Sequence, residues 1–172
     1  MKKTTIDGLL SKAWNEERLT HEDLIELLSV KEKEDISKLF EMARAIKERN
    51  FGNTIFLYGF VYFSTYCRNN CSFCFYRNSN DNSIRYRKTK EEIIGLATAL
   101  EDAGVHLIDL TMGEDTQFNN GSQNESLLEI IRIVDKEVNT PIMASPGVVP
   151  KHTFSKIKTS GADWFACYQE TH

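Results

Sequence analysis

A chain of 172 residues with 41% hydrophobic side chains carries enough apolar material for one core. Its formal net charge of −4, with Lys31 and Lys33 set among acidic residues, argues against a nucleic-acid surface. No apolar run approaches the ~20 residues that cross a bilayer, and MKKTTIDGLL lacks a signal-peptide pattern, so the expected location is the cytoplasm, where thiols stay reduced.

Residues 1–52 read as a helical layer. Ile6, Leu9, Leu10 and Trp14 recur at helical spacing. Thr20 opens T-H-E-D, a capping-box pattern with Asp23 in the place Glu or Gln usually takes, ahead of a helix over residues 24–29. Ile36, Leu39, Phe40, Ala43 and Ile46 form a third apolar stripe, which residues 50–52 end at Gly52. No repeat, low-complexity tract or linker interrupts the chain.

From residue 53 to residue 172 the pattern alternates between strands and helices. Strands are expected at 54–63, 106–111, 141–145 and 163–169, and helices at 89–103, 122–138 and 151–159. Gly104, Pro141 and Gly161 punctuate the turns from helix to strand. Repeated βα units define an α/β fold with a parallel sheet, here about four units of a (β/α) TIM-type barrel behind N-terminal helices. A whole barrel takes about 250 residues, so the chain reads as a truncated half, either a fragment or one part of a split enzyme. Functional groups of such barrels gather where strands end. The polar residues obey that rule: the cysteine loop follows the first strand, Gly113 and Glu114 the second, Ser145 to Gly147 the third, and Glu170 the fourth.

Cysteine is scarce, and three of the four fall within eight positions as Cys67, Cys71 and Cys74, spaced C-x3-C-x2-C with Phe73 before the last. A [4Fe–4S] cube takes four ligands, so a loop offering three thiolates leaves one iron open to a small molecule. A structural zinc site is the rival; it would need a fourth ligand from Cys167 or a distant histidine.

Strand periodicity sorts the other candidates. Leu107, Asp109 and Thr111 share one face of the second strand, and Ile108 and Leu110 the other. An aspartate there cannot face the helices without burying an unpaired charge, so Asp109 should face the barrel lumen. It could meet a cationic substrate group there, or be satisfied by a neighbouring backbone group or arginine. On the fourth strand Trp164, Ala166, Tyr168 and Glu170 fall together, which turns Cys167 toward the helices as a small buried residue.

The spacing C-x3-C-x2-C, followed one βα unit later by Met112-Gly113-Glu114, resembles the radical SAM enzymes. The runs Y-F-S-T-Y-C-x-N-x-C-S-F-C, R-Y-R, D-L-T-M-G-E-D, P-I-M-x-S-P-G and Y-Q-E-T are similar to the methylornithine synthases of pyrrolysine biosynthesis, in the biotin-synthase-like group. That resemblance covers nearly the whole chain and the first half of the family's barrel. It implies a [4Fe–4S] cluster on Cys67, Cys71 and Cys74, and S-adenosylmethionine chelated to the open iron and cleaved to a 5′-deoxyadenosyl radical. It places Phe73 near the adenine, Gly113 and Glu114 at the methionyl amino group, Ser145 near the cofactor and Glu170 at the ribose. It gives Asp109 a substrate ammonium to hold, with L-lysine rearranged to 3-methylornithine and a flavodoxin- or ferredoxin-type reductant. Another biotin-synthase-like enzyme with a different substrate, or a non-catalytic cluster-binding remnant, remain open alternatives.

Overall fold

In the computed structural model the described residues are 5–119 and 125–168. The chain divides into two compact units, Met1–Ile55 and Phe56–His172.

The first unit is helical. α1 (Ile6–Trp14) starts at Thr5, whose hydroxyl accepts from Gly8 N at 3.3 Å. α2 (His21–Leu28) begins three residues before the expected position, because the Thr20–Asp23 capping box is complete and fixes the start directly after Thr20. Asp23 Oδ2 also accepts from Lys12 Nζ at 2.9 Å, tying α2 to α1. α3 (Lys33–Phe51) ends at Gly52, whose φ of +56° suits glycine and whose N–H bonds Glu48 O at 2.8 Å.

The second unit runs β1 (Tyr58–Ser64), α4 (Lys90–Asp102), β2 (Leu107–Met112), α5 (Glu125–Glu137), β3 (Ile142–Ser145), α6 (Lys151–Ile157) and β4 (Trp164–Phe165). A 3-10 turn, Lys158–Ser160, follows α6. The four strands lie in sequence order and every pairing is parallel. This is the α/β architecture expected of a partial barrel. α4 starts at a second capping box, Thr89 with Glu92.

One face of the sheet carries the core. Val61 and Phe63 of β1, Ile108, Leu110 and Met112 of β2, and Ile142 and Ala144 of β3 pack with Ile93 and Ala97 of α4, Leu127, Leu128, Ile131 and Val134 of α5, and Ile157 of α6. Alternation then puts Tyr58, Phe60, Tyr62, Asp109 and Ser145 on the opposite face. Phe60 and Tyr58 are exposed there.

β1 and β4 are shorter than the sequence reading has them. β1 begins at Tyr58 rather than 54, because residues 55–57 precede the register with β2 and leave Ile55 and Phe56 exposed. β4 has two ladder residues, since its pairing with β3 covers Met143 and Ala144 alone. The expected start of α5 at residue 122, and the end of β4 at residue 169 with Glu170 beyond it, lie outside the described residues.

Candidate functional site

The ends of all four strands meet around one cavity of about 220 Å³. Cys67, Cys71, Phe73 and Cys74 line it after β1, Met112 to Glu114 after β2, Ser145 and Gly147 after β3, and Ala166 to Tyr168 after β4. The three cysteines are free and half-buried. Among the described residues no three His, Cys, Asp or Glu side chains gather closely enough to share one metal ion. Each thiolate of a cube binds a different iron, whereas a structural zinc takes four ligands on one ion. Three thiolates on one loop supply three of the four ligands that a [4Fe–4S] cube takes.

The loop reaches this position because the chain doubles back on it. Ile84–Lys88 runs antiparallel to the end of β1: Lys88 N bonds Phe63 O at 2.8 Å, and Thr65 N bonds Tyr86 O at 3.1 Å. The buried Thr65 hydroxyl donates to Ile84 O and accepts from Tyr86 N, both at 2.9 Å.

Glu114 joins three of the strand-end loops. Its Oε2 accepts from Arg68 Nε and Nη2, each at 2.9 Å, and its Oε1 accepts from Val148 N at 3.1 Å. Two glycines make the approach possible. A Cβ on Gly113 would fall 2.3 Å from Tyr66 O and 2.9 Å from Cys67 Cβ. Gly147 sits at φ +78°, and a Cβ there would fall 2.5 Å from Glu114 Cγ.

Beneath the loop lies a buried ion pair. Asp115, 1% exposed, accepts from Arg87 Nε at 2.6 Å, Arg87 Nη2 at 3.0 Å, Ser64 Oγ at 2.5 Å and Gln117 N at 2.9 Å. Burial alone would push its carboxyl up, but the bonds from Arg87, Ser64 and Gln117 outweigh it and hold the carboxyl below the usual range. The Arg87 guanidinium also lies 3.8 Å from the ring centre of Tyr66, the residue before Cys67.

Two buried polar atoms on the lumen side have no hydrogen-bond partner among the described residues: Ser145 Oγ, in the cavity wall, and Asp109 Oδ1. The other Asp109 oxygen accepts from Tyr58 Oη at 2.5 Å. Burial, and then this bond, push the Tyr58 phenol above its ordinary range. Tyr62, on the same face, has its phenol raised first by burial and then by Cys74, Tyr76 and Cys67 beside it.

The structure thus brings Cys67, Cys71, Cys74, Phe73, Gly113, Glu114 and Ser145 to one cavity, with Asp109 on the same side of the sheet. One expectation fails. Cys167 is exposed and lines the cavity instead of facing the helices. The ladder ends with Ala166 N on Ala144 O, so the two-residue alternation that turned Cys167 inward no longer applies to it. Tyr58, Tyr62, Arg85, Arg87 and Asp115 carried no assigned role in the sequence reading. The strand period could have found the two tyrosines, whereas the partners of Arg85 are main-chain carbonyls and leave no trace in the sequence.

A cysteine loop at the C-terminal end of β1 in a parallel half-barrel defines a class, and the family comparison agrees. Residues 61–172 match the model of the Radical SAM superfamily, and the chain belongs to that superfamily. Within it, the chain is similar to the 3-methylornithine synthases of Methanosarcina acetivorans, at 44% identity over 155 residues, and Methanosarcina barkeri, at 43% over 166. These alignments cover 90% and 96% of this chain but 43% and 47% of the relatives. A crystal structure of methylornithine synthase superposes with a TM-score of 0.84 at 42% identity, covering 95% of this chain and 48% of that one. The chain spans under half the length of these relatives. No helix among the described residues is long and apolar enough to cross a membrane.

Proposed function

We propose that this chain forms the cluster- and cofactor-binding half of a radical SAM enzyme that rearranges L-lysine to 3-methylornithine. The observation that carries it is the convergence of Cys67, Cys71 and Cys74 on a cavity walled by all four strand ends. The thiolates would hold three irons of a [4Fe–4S] cluster, which supplies one electron, drawn from a flavodoxin- or ferredoxin-type reductant, for cleaving S-adenosylmethionine. Ser145 offers an unpaired buried hydroxyl to that cofactor, and Phe73, lining the cavity and 61% exposed, offers a ring face to the adenine. A carboxylate has about four lone-pair sites, and three on Glu114 are taken, which leaves capacity on Oε1 for the methionyl ammonium. Asp109 would hold a substrate ammonium with the oxygen that Tyr58 leaves free.

Anaerobic reconstitution with iron and sulfide, followed by metal analysis and electron paramagnetic resonance, tests the cluster. About four irons per chain are expected, with a signal on reduction. Cys167→Ala should retain both, because Cys67, Cys71 and Cys74 suffice. Stoichiometric zinc without a cluster signal would overturn the assignment.

Glu114→Ala is expected to weaken S-adenosylmethionine binding to the reconstituted protein by about 1.5 kcal/mol, roughly tenfold, through loss of one charge-assisted hydrogen bond. Calorimetric titration checks it, and an unchanged affinity removes Glu114 from the cofactor site.

A further inference from the structure

A loop that is to present three thiolates together needs its two ends held in a fixed relation. Between Thr65 and Asn80, Cys74 N bonds Cys71 O at 3.0 Å and Arg77 N bonds Cys74 O at 3.3 Å, Asn78 N on Asn69 O at 2.7 Å and Ser79 N on Asn70 Oδ1 at 2.8 Å cross the loop, and Arg68 ties it to Glu114. None of these connects the strand from which the loop departs to the segment by which it returns past Cys74.

One side chain makes that connection. Arg85 Nη1 donates to Thr65 O at 2.5 Å and Tyr76 O at 2.8 Å, and its Nη2 donates to Arg77 O at 2.6 Å and Asn80 O at 3.4 Å. Thr65 stands two residues before Cys67, and Tyr76 two residues after Cys74. The four terminal N–H groups of a single guanidinium therefore close the entry of the cysteine loop onto its exit. The arrangement is fixed from behind, because the Thr65 hydroxyl binds the backbone on both sides of Arg85, at Ile84 O and Tyr86 N.

We propose that Arg85 is the positioning residue of the cysteine loop, the group that preorganises Cys67, Cys71 and Cys74 to receive the cluster and retain it. A guanidinium suits the task for a geometric reason. Its donors lie in one plane at fixed angles, so four carbonyls contributed by both ends of a loop are held in a set relation, and bonds from a charged donor are roughly twice as strong as neutral ones. A lysine ammonium has three donors on a flexible stem and can gather some of the carbonyls without fixing their geometry. None of the ion pairs found among the described residues involves Arg85, so its donors serve the loop carbonyls rather than a carboxylate.

The inference rests on reading the three cysteines as cluster ligands, and its test keeps the two apart. The chain, Arg85→Lys and Arg85→Met are reconstituted anaerobically in parallel. Iron and sulfide per chain, the paramagnetic resonance spectrum of the reduced cluster and the rate of iron loss to a chelator are measured, with far-ultraviolet circular dichroism of the same samples. Arg85→Lys is expected to take up the cluster but lose iron at least tenfold faster, with a broadened spectrum. Arg85→Met should reach less than a third of the unsubstituted iron content, and both variants should keep their helical and strand signal. Unsubstituted iron content, release rate and spectrum in both variants would overturn the role of Arg85 alone. Loss of secondary structure in both would also overturn it, by assigning Arg85 to the whole fold. If the unsubstituted chain takes up no cluster, the reading of the cysteines falls first and this inference with it.

Discussion

Asp115→Asn is expected to lower the unfolding free energy of the second unit by about 3 kcal/mol, measured by urea denaturation at neutral pH. Asp115 is 1% exposed and accepts four hydrogen bonds, two of them from Arg87. Removing its charge strands the guanidinium of Arg87 in a partly buried site, and breaking a buried pair from one side costs about 3–5 kcal/mol. The low end applies because the Arg87 side chain is 32% exposed and recovers some hydration. The double variant Asp115→Asn, Arg87→Met should lose less than the sum of the two single changes, since each single change already removes the pair.

The same pair sets a pH dependence of known sign. The Asp115 carboxyl is held below its ordinary value, so the unfolded chain binds its proton more readily than the folded one. Its contribution is fully present above the unfolded value of about 3.9 and fades as pH falls through the lower folded value. Acid titration of stability should therefore show a component below about pH 4 that Asp115→Asn lacks. An identical acid profile in both proteins would mean that the pair carries no linkage.

Much of this architecture was legible in the residues because it follows from short-range rules. Thr20 with Asp23 was read as a capping box ahead of α2, and a helix was expected from residue 89, where the structure adds a second box of Thr89 with Glu92. Ile108 and Leu110 alternate with Asp109, and that period, with the cost of burying an unpaired charge, assigned the aspartate to the face away from the helices. The spacing of Cys67, Cys71 and Cys74 pointed to a cluster because three thiolates leave one iron of a cube open to a small molecule. What was not legible depends on partners brought together by the fold. Arg85 bonds main-chain carbonyls, which every residue has, so nothing marks them in advance. Cys167 was misplaced because a period of two holds only while a strand is paired, and β4 unpairs after two residues. The Tyr58–Asp109 bond spans 51 positions and depends on the register of β1 against β2.

That bond leaves Asp109 half satisfied. A carboxylate buried within a sheet must be paired or neutralised, and Tyr58 satisfies one oxygen of Asp109 while the other has no partner among the described residues. The donation from Tyr58 also orients the carboxylate and leaves Oδ1 for the proposed substrate ammonium. In a chimera joining this chain to the C-terminal half of the Methanosarcina acetivorans enzyme, Asp109→Asn keeps the shape and an acceptor for Tyr58 but removes the charge. Lysine turnover is expected to fall by about 100-fold, close to 3 kcal/mol for a lost hydrogen bond between charged groups, while cleavage of S-adenosylmethionine without lysine persists. Tyr58→Phe should produce a smaller loss, about tenfold, because it frees the carboxylate to turn without discharging it. If Asp109→Asn lowers both activities together, Asp109 serves the fold. If it lowers neither, the substrate ammonium binds elsewhere in the lumen, and a basic amino acid is not selected through this residue.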